Sequence, residues 1–457
     1  MNDTAANETP RVIGALSGFA IVAGSMVGIG IFLSPPIVAT HVTSAPLFFA
    51  MWALGGLISL AGAVACAELG TMMPKAGGDY VFQHAAFGPS TAFASGSVLF
   101  AAIFCGSIAT LAVGLSTYQL PALLGLDLST PVIPLPFGMD LTGSELAAIL
   151  IVIALTFVNA RGTTLSARAQ SGLTLLPIAL FAAFAVALIF RAVALVPAAP
   201  VGAATAVPLT AHGLAVSYMA IYFAYSGWIN IVYVAGEVAE PSRNIPRALI
   251  GGTLAVTLLY LLLCSGFYEA LGMAGLRDAG EVGTATAAML AGTTGKMAVT
   301  LLIAFALTAC TNATVLGGAR VAYAMARQGA LFRSLATLDV ATQVPQRALW
   351  LQAALSCLLI ISGTFEQLMT MVSLAMVVTG TLTVSSVFVL RRTQPVRARP
   401  YRASGYPWLP GLYIVASLAT IVIMVSRALS GEADAWVPIL GLLILVAAYL
   451  LHRFWLR

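Results

Sequence analysis

Apolar runs fill almost the whole chain, separated by short stretches rich in arginine, glycine and proline. Twelve of them are long enough to cross the ~30 Å hydrocarbon layer of a bilayer. They lie near residues 12–39, 45–72, 91–118, 143–160, 170–195, 213–238, 247–272, 295–325, 348–364, 367–390, 408–429 and 436–455. Two runs are damaged in the middle, at Ala23-Gly-Ser-Met-Val-Gly-Ile-Gly-Ile-Phe32 and at Phe223-Ala-Tyr-Ser-Gly-Trp228. A spanning helix satisfies its own backbone polar groups, so glycine breaks at mid-depth are tolerated where they line a cavity. One such break in each half of a chain points to a substrate site.

Composition agrees with a polytopic membrane protein: 60% of residues are hydrophobic and 8% charged, with a mean hydropathy of +0.98. The net charge of +5 sits between apolar runs, where it orients helices rather than binding nucleic acid. Cys66, Cys105, Cys264, Cys310 and Cys357 lie inside apolar runs without CxxC spacing, which predicts small buried residues rather than disulfides or metal ligands. Residues 1–11 are polar with both signs of charge, and the first apolar run is too long for a signal peptide, so that span is expected to be retained.

Twelve spans place both termini on one face. With that face cytoplasmic, it collects 17 of the 21 basic residues and leaves Arg191, Arg277, Lys296 and Arg427 opposite. The expected location is the cytoplasmic (inner) membrane. Spans one to five (12–195) and six to ten (213–390) have similar lengths, and an odd number of spans per unit inverts the second unit. The remaining divisions are a cytoplasmic tail, 1–11, a basic cytoplasmic loop, 391–407, and the last two helices with a short tail, 408–457.

Four stretches carry a resemblance: Gly24-Ser-Met-Val-Gly-Ile-Gly-Ile-Phe32, Glu68-Leu-Gly-Thr-Met-Met-Pro-Lys-Ala-Gly-Gly-Asp-Tyr80, Phe223 to Trp228 followed by Gly236-Glu-Val-Ala-Glu-Pro-Ser-Arg-Asn-Ile-Pro-Arg247, and Gly318-Ala-Arg-Val-Ala-Tyr-Ala-Met-Ala-Arg-Gln-Gly329. Together the chain resembles the amino acid, polyamine and organocation transporter superfamily, and within it bacterial relatives of the L-type amino acid transporters. The resemblance implies an all-α LeuT-type fold of twelve transmembrane helices, a 5+5 inverted repeat plus two. It also implies alternating access, with spans one, two, six and seven rocking against three, four, eight and nine.

Local chemistry predicts an α-amino acid site. Ser25, Met26, Val27, Gly28, Ile29 and Gly30 would present open amides and a positive helix end to a carboxylate. Carbonyls near Phe223, Ala224 and Tyr225 would face the ammonium group. Ser226, Gly227 and Trp228 complete the second break; Tyr225 and Trp228 either shape the pocket or pack ordinarily, and the resemblance makes Phe223 an occluding gate. Asn312 either holds the unwound backbone or satisfies a neighbouring helix.

Acidic residues, Glu68, Glu145, Glu237, Glu240, Glu269 and Glu366 among them, fall at or near helix ends or in loops. A cationic side chain would want a desolvated carboxylate, so a small neutral substrate is expected. A cationic amino acid or polyamine antiporter and a proton-coupled symporter are the alternatives. Glu237, Glu240, Arg243 and Arg247 suggest a cytoplasmic gate network or a solvated loop. Where relatives carry a lysine in the fifth span, alignment through Ser166, Gln170 and Thr174 brings Pro177; where sodium-coupled relatives carry two hydroxyls, the chain reads Ala306 and Leu307, with Thr308 and Thr311 close by. Exchange or uniport stays open.

His41, His84, His212 and His452 are scattered near span ends, and no GxxxxGK[ST] phosphate loop is present. No enzyme activity, cofactor or metal is expected, and no charged ring suggests a channel. The expected partners are an amino acid substrate and the lipid bilayer, with the protein a monomer or homo-oligomer. Residues 119–142 contain no cysteine, so no disulfide-linked partner subunit is expected there.

Overall fold

A computed structural model describes residues 11–455 apart from 12, 43, 76, 135–140, most of 162–207, 328–331, 340, 341, 343 and 431–435. The described chain is helical except for a short antiparallel pair, β1 (Pro131–Ile133) and β2 (Leu141–Thr142). Its helices are α1 (Ala15–Met26), α2 (Gly30–His41), α3 (Ala45–Met72), α4 (Asp79–Phe87), α5 (Pro89–Leu124), α6 (Gly143–Ala160) and α7 (Ala211–Tyr225). After a 3₁₀ segment (Asn230–Glu237) come α8 (Pro241–Asp278), α9 (Val282–Arg327), α10 (Gln346–Ser362), α11 (Phe365–Thr393), α12 (Trp408–Leu429) and α13 (Trp436–Trp455).

Among the described residues, nine helical segments are long and apolar enough to cross a membrane, and ten if α1 and α2, bent by 44° at their junction, form one broken span. The run expected at 348–364 is the shorter helix α10, and the run expected at 170–195 lies outside the described residues. Two helices run beyond their expected ends because each continues past a glycine in a left-handed conformation, Gly272 (φ 65°) in α8 and Gly292 (φ 60°) in α9. These turns fold the α8–α9 junction over α2, where Arg277 Nε donates to the Ala39 carbonyl at 3.4 Å.

Sequence explains several helix starts directly. Thr142 and Glu145 form a reciprocal capping box on α6, and Thr364 and Gln367 form another on α11. Leu54, Leu57, Leu150, Leu258, Leu301 and Val422 point outward and are exposed, the surface that lipid covers. Helix α3 packs on α7 and α8 through small residues: Gly55 faces Ile221, Gly56 faces Thr257 and Gly62 faces the Trp228 ring. The chain's two parts interleave, with α1 packed on α8 and α2 on α7, while α5, α6, α9 and α10 pack among themselves.

A buried ion cluster closes the end of the molecule where the α11–α12 loop lies. Glu68 on α3 is 1% exposed and accepts both Arg391 Nε (3.0 Å) and Arg391 Nη2 (2.6 Å). Arg399 Nε lies 3.3 Å from the same carboxylate, and the Ala403 amide donates to it at 2.7 Å. Residues 391–407 are therefore tied to α3 rather than free. The Glu240–Arg243 pair, by contrast, is 3.4 Å long with both side chains about two-thirds or more exposed, which gives it little weight. Glu68→Ala should strip two arginines of their partner and lower stability by about 3 kcal/mol, read as a fall in unfolding temperature in detergent; Glu240→Ala should leave that temperature unchanged.

Candidate functional site

The first break opens because α1 ends at Met26 and α2 begins only at Gly30. Among the described residues, the amides of Ile29, Gly30 and Ile31 make no backbone hydrogen bond, which leaves a helix N-terminus with open donors, while the Gly28 amide faces the Tyr260 hydroxyl oxygen. The second break follows α7, which ends at Tyr225; Ser226 is extended and Gly227 has φ +102°. The Phe223 carbonyl accepts both the Ser226 amide (3.1 Å) and the Ser226 hydroxyl (2.7 Å).

The two breaks touch. A Cβ on Gly30 would collide with the backbone of Ala224, and a Cβ on Gly227 would stand 2.5 Å from the Ser25 carbonyl oxygen. Gly28 differs, because a Cβ there meets nothing within 4 Å. Glycine thus serves two ends here: close backbone approach at Gly30 and Gly227, open space for a ligand at Gly28.

A cavity of about 160 Å³ lies at this junction, lined by Ser25, Met26, Gly28, Ile29 and Gly30 from the first break and by Phe223, Ala224, Ser226, Gly227 and Trp228 from the second. Its remaining wall includes Leu99, Ile103 and Phe104, which fall in a π-helical turn of α5, a deviation that re-aims side chains. The volume suits a small molecule more than a drug-sized one, whose sites run to ~300–1,000 Å³. A second cavity of about 390 Å³ adjoins it and shares Ser25, Phe104, Asn230, Tyr233, Cys310 and Thr314; Val27 lines this one.

Three of the expected site residues sit elsewhere or do more than expected. Tyr225 is fully buried away from both cavities, its hydroxyl donating to the Trp52 carbonyl at 3.3 Å. Asn312 accepts Asn159 Nδ2 at 2.7 Å and so joins α9 to α6. Trp228 lines the cavity yet also packs its ring on Gly62 and at 6.2 Å from the Tyr413 ring. Around the expected sodium position, Ala306 lines the second cavity, while Thr308 and Thr311 both donate back to their own helix at 2.8 Å. Pro177, with Ser166, Gln170 and Thr174, lies outside the described residues.

Two groups of functional weight escaped the sequence. Tyr260 on α8 places its hydroxyl 2.6 Å from the Met26 carbonyl and 3.0 Å from the Ala224 carbonyl, one proton shared between the two breaks. Asp79, at the start of α4, is 6% exposed and lines the 160 Å³ cavity, where among the described residues it is the only charged side chain in the lining. Neither carries a local signal: Tyr260 lies 234 residues from Met26, and a Gly-Asp-Tyr turn reads as an ordinary helix start. The histidines are also less scattered than their spacing suggests, since the rings of His41 and His212 lie 6.1 Å apart; among the described residues no group of three ligating side chains could hold a metal.

A membrane-embedded helical protein with two broken spans meeting at a small cavity is built as a solute carrier. The amino acid permease family model matches residues 13–449, and the chain belongs to that family. It is 28% identical to the serine/threonine exchanger SteT of Bacillus subtilis over 421 residues, covering 90% of each chain. It is 26% identical over 455 residues to the human cystine/glutamate transporter, covering 97% of this chain and 86% of the relative. With the mouse b(0,+)-type amino acid transporter 1 it shares 25% identity over 413 residues, 90% and 82% of the two chains. These relatives are transporters, not enzymes. The crystal structure of MhsT in complex with L-phenylalanine shares the fold, with a TM-score of 0.57 at 15% identity over 90% of this chain and 98% of that one.

The geometry separates three glycine and tyrosine variants. Gly28→Leu should fill the cavity and abolish ligand-induced thermal stabilisation while the ligand-free unfolding temperature stays near native. Gly30→Ala should lower that temperature, because its methyl group meets backbone. Tyr260→Phe should cost about 1–3 kcal/mol, the penalty for leaving buried carbonyls without their donor, and a native unfolding temperature for this variant would remove Tyr260 from the junction.

Proposed function

We propose that this permease moves a small, neutral α-amino acid across the inner membrane by alternating access, as an exchanger. The observation that carries the reading is the junction itself. Open amides of Ile29 and Gly30 stand opposite the carbonyl end of α7, across a cavity of amino-acid size. A carboxylate and an ammonium group one carbon apart complement those two poles.

Neutral rather than cationic cargo is supported by the state of Asp79, whose two oxygens already accept hydroxyl protons from Thr383 and Tyr233 at 2.8 Å each. The B. subtilis relative, a serine/threonine exchanger, supports small neutral substrates and exchange. Phe223, 7% exposed on the cavity wall, is the gate in this reading. Topology follows the arginine split: twelve spans in a 5+5 inverted arrangement plus two, both termini cytoplasmic.

In this reading coupling is to counter-substrate rather than to an ion, since neither Thr308 nor Thr311, the hydroxyls nearest the expected sodium position, lines either cavity. Liposomes loaded with serine or another small neutral amino acid should take up labelled external substrate without a proton or sodium gradient. Empty liposomes should show little uptake. Uptake that requires sodium, or that collapses with a protonophore, contradicts exchange. Phe223→Ala should slow exchange several-fold more than it weakens binding, because a lid contributes chiefly to the closed state; equal losses in both would reduce Phe223 to packing.

A further inference from the structure

The buried carboxyl of Asp79 is wired to the second half of the broken span α7. Its Oδ2 accepts the Tyr233 hydroxyl and its Oδ1 accepts the Thr383 hydroxyl, both at 2.8 Å. Gln83 fixes the direction of this chain. Its Nε2 donates to the Thr379 carbonyl (3.1 Å), which can only accept, and to the Thr383 oxygen (2.8 Å). Thr383 must therefore spend its own proton on Asp79. Both carboxyl oxygens face donors, an arrangement that suits the ionised form.

Tyr233 is held by more than its hydroxyl. Its ring fills the place where Gly78, at φ +50°, lacks a side chain, and its carbonyl accepts the Gly77 amide at 3.3 Å. The turn 77–79 thus clasps the 3₁₀ segment through three contacts. Tyr233 lines both cavities, so releasing it removes part of the wall between them.

No cation balances Asp79, which forms no ion pair among the described residues. Tyr233 on the 3₁₀ segment, Tyr222 on α7 and Cys66 on α3 are the titratable groups that feel its charge. Of the elements packed on α4, α5 contributes no charged side chain over its first ten residues, and α11 carries charge only at its two ends, Glu366 at the start and Arg391 and Arg392 at the finish. On α3 the neighbouring charge is Glu68, which is occupied by Arg391 and Arg399. His84 and Tyr80 share α4 with Asp79 and stack on each other at 6.1 Å. Burial pushes the Asp79 carboxyl above the usual carboxylate range, against the opposing pull of the Thr383 and Tyr233 hydrogen bonds.

We propose that Asp79 is a proton-binding site that controls the Tyr233 latch, so that protonation from the terminus-bearing face frees the 3₁₀ segment and speeds opening of the cavity to that face. The proposal rests on the exchanger reading and adds proton control of its rate, without a proton being carried in each cycle. The proton comes from water and adds to a carboxyl oxygen, which replaces the charge-assisted bond from the Tyr233 hydroxyl by a weaker neutral one. Loss of that charge assistance sets the size of the effect.

The test is exchange of labelled serine in proteoliposomes with equal substrate and equal pH on both sides, stepped from about pH 8 to about pH 5. Native exchange should quicken by about fivefold on acidification, the weight of one hydrogen bond. Asp79→Asn should be fast and flat with pH. Tyr233→Phe, which lacks the hydroxyl that protonation releases, should likewise be fast and flat with pH. A flat native profile overturns the proposal, as does a native profile retained by Asp79→Asn, the signature of a histidine. Asp79→Asn that loses only cationic substrates, with its pH profile intact, overturns it in favour of an ammonium site. Should Asp79→Asn fail to fold, a native pH profile retained by Tyr233→Phe overturns it as well. Absence of serine exchange by every form at every pH instead overturns the exchanger reading itself.

Discussion

Backbone groups opened in the middle of a membrane are the constraint on which the rest of this structure depends. Each buried N–H or C=O without a partner costs several kcal/mol in hydrocarbon, and two interrupted spans create many of them at one depth. The protein answers by pressing the breaks together. Gly30 lies on the Ala224 backbone, Gly227 lies on the Ser25 carbonyl, and the Tyr260 hydroxyl serves a carbonyl from each. What is left open, chiefly the amides of Ile29 and Gly30, faces the cavity. The site is the remainder of that accounting, not a feature added to a finished fold.

Support for the junction comes from aromatic bulk behind it. Tyr225, Tyr260 and Trp52 form a cluster with ring centroids 5.1–6.1 Å apart, and on the other side the Tyr222 and Tyr413 hydroxyls lie 2.7 Å from each other. These rings are large, apolar and tipped with hydroxyls, so they fill volume and supply donors at the same depth. Tyr225 belongs to this scaffold, which is why its place in the second break does not make it part of the cavity wall.

Local pattern made the broken spans, the apolar runs and the capping boxes legible, because each is written within a few residues of itself. Gly28 and Gly30 could be named from the sequence, but their different tasks could not, since Ala224 approaches only one of them. Tyr260 and the Asp79–Tyr233–Thr383 chain were invisible for the same reason: the partners lie 234, 154 and 304 residues apart. Charge spacing left two readings open in one place. Glu240 and Arg243 are neighbours in the sequence and exposed in the structure, whereas Glu68, read only as a residue near a helix end, is the buried centre of the ion cluster.

The same unsatisfied amides bear on why exchange suits this site. To pass between its two open forms, a carrier must close over the cavity and exclude water. Under the proposed reading, a substrate carboxylate meets the amides of the first break and the closed form loses nothing; with the cavity empty, those donors are shut away from every acceptor. At a net penalty of about 1–3 kcal/mol per buried unsatisfied group, a few such donors slow the empty transit by orders of magnitude. Under the proposed exchange reading, the break that makes the site also disfavours the empty step.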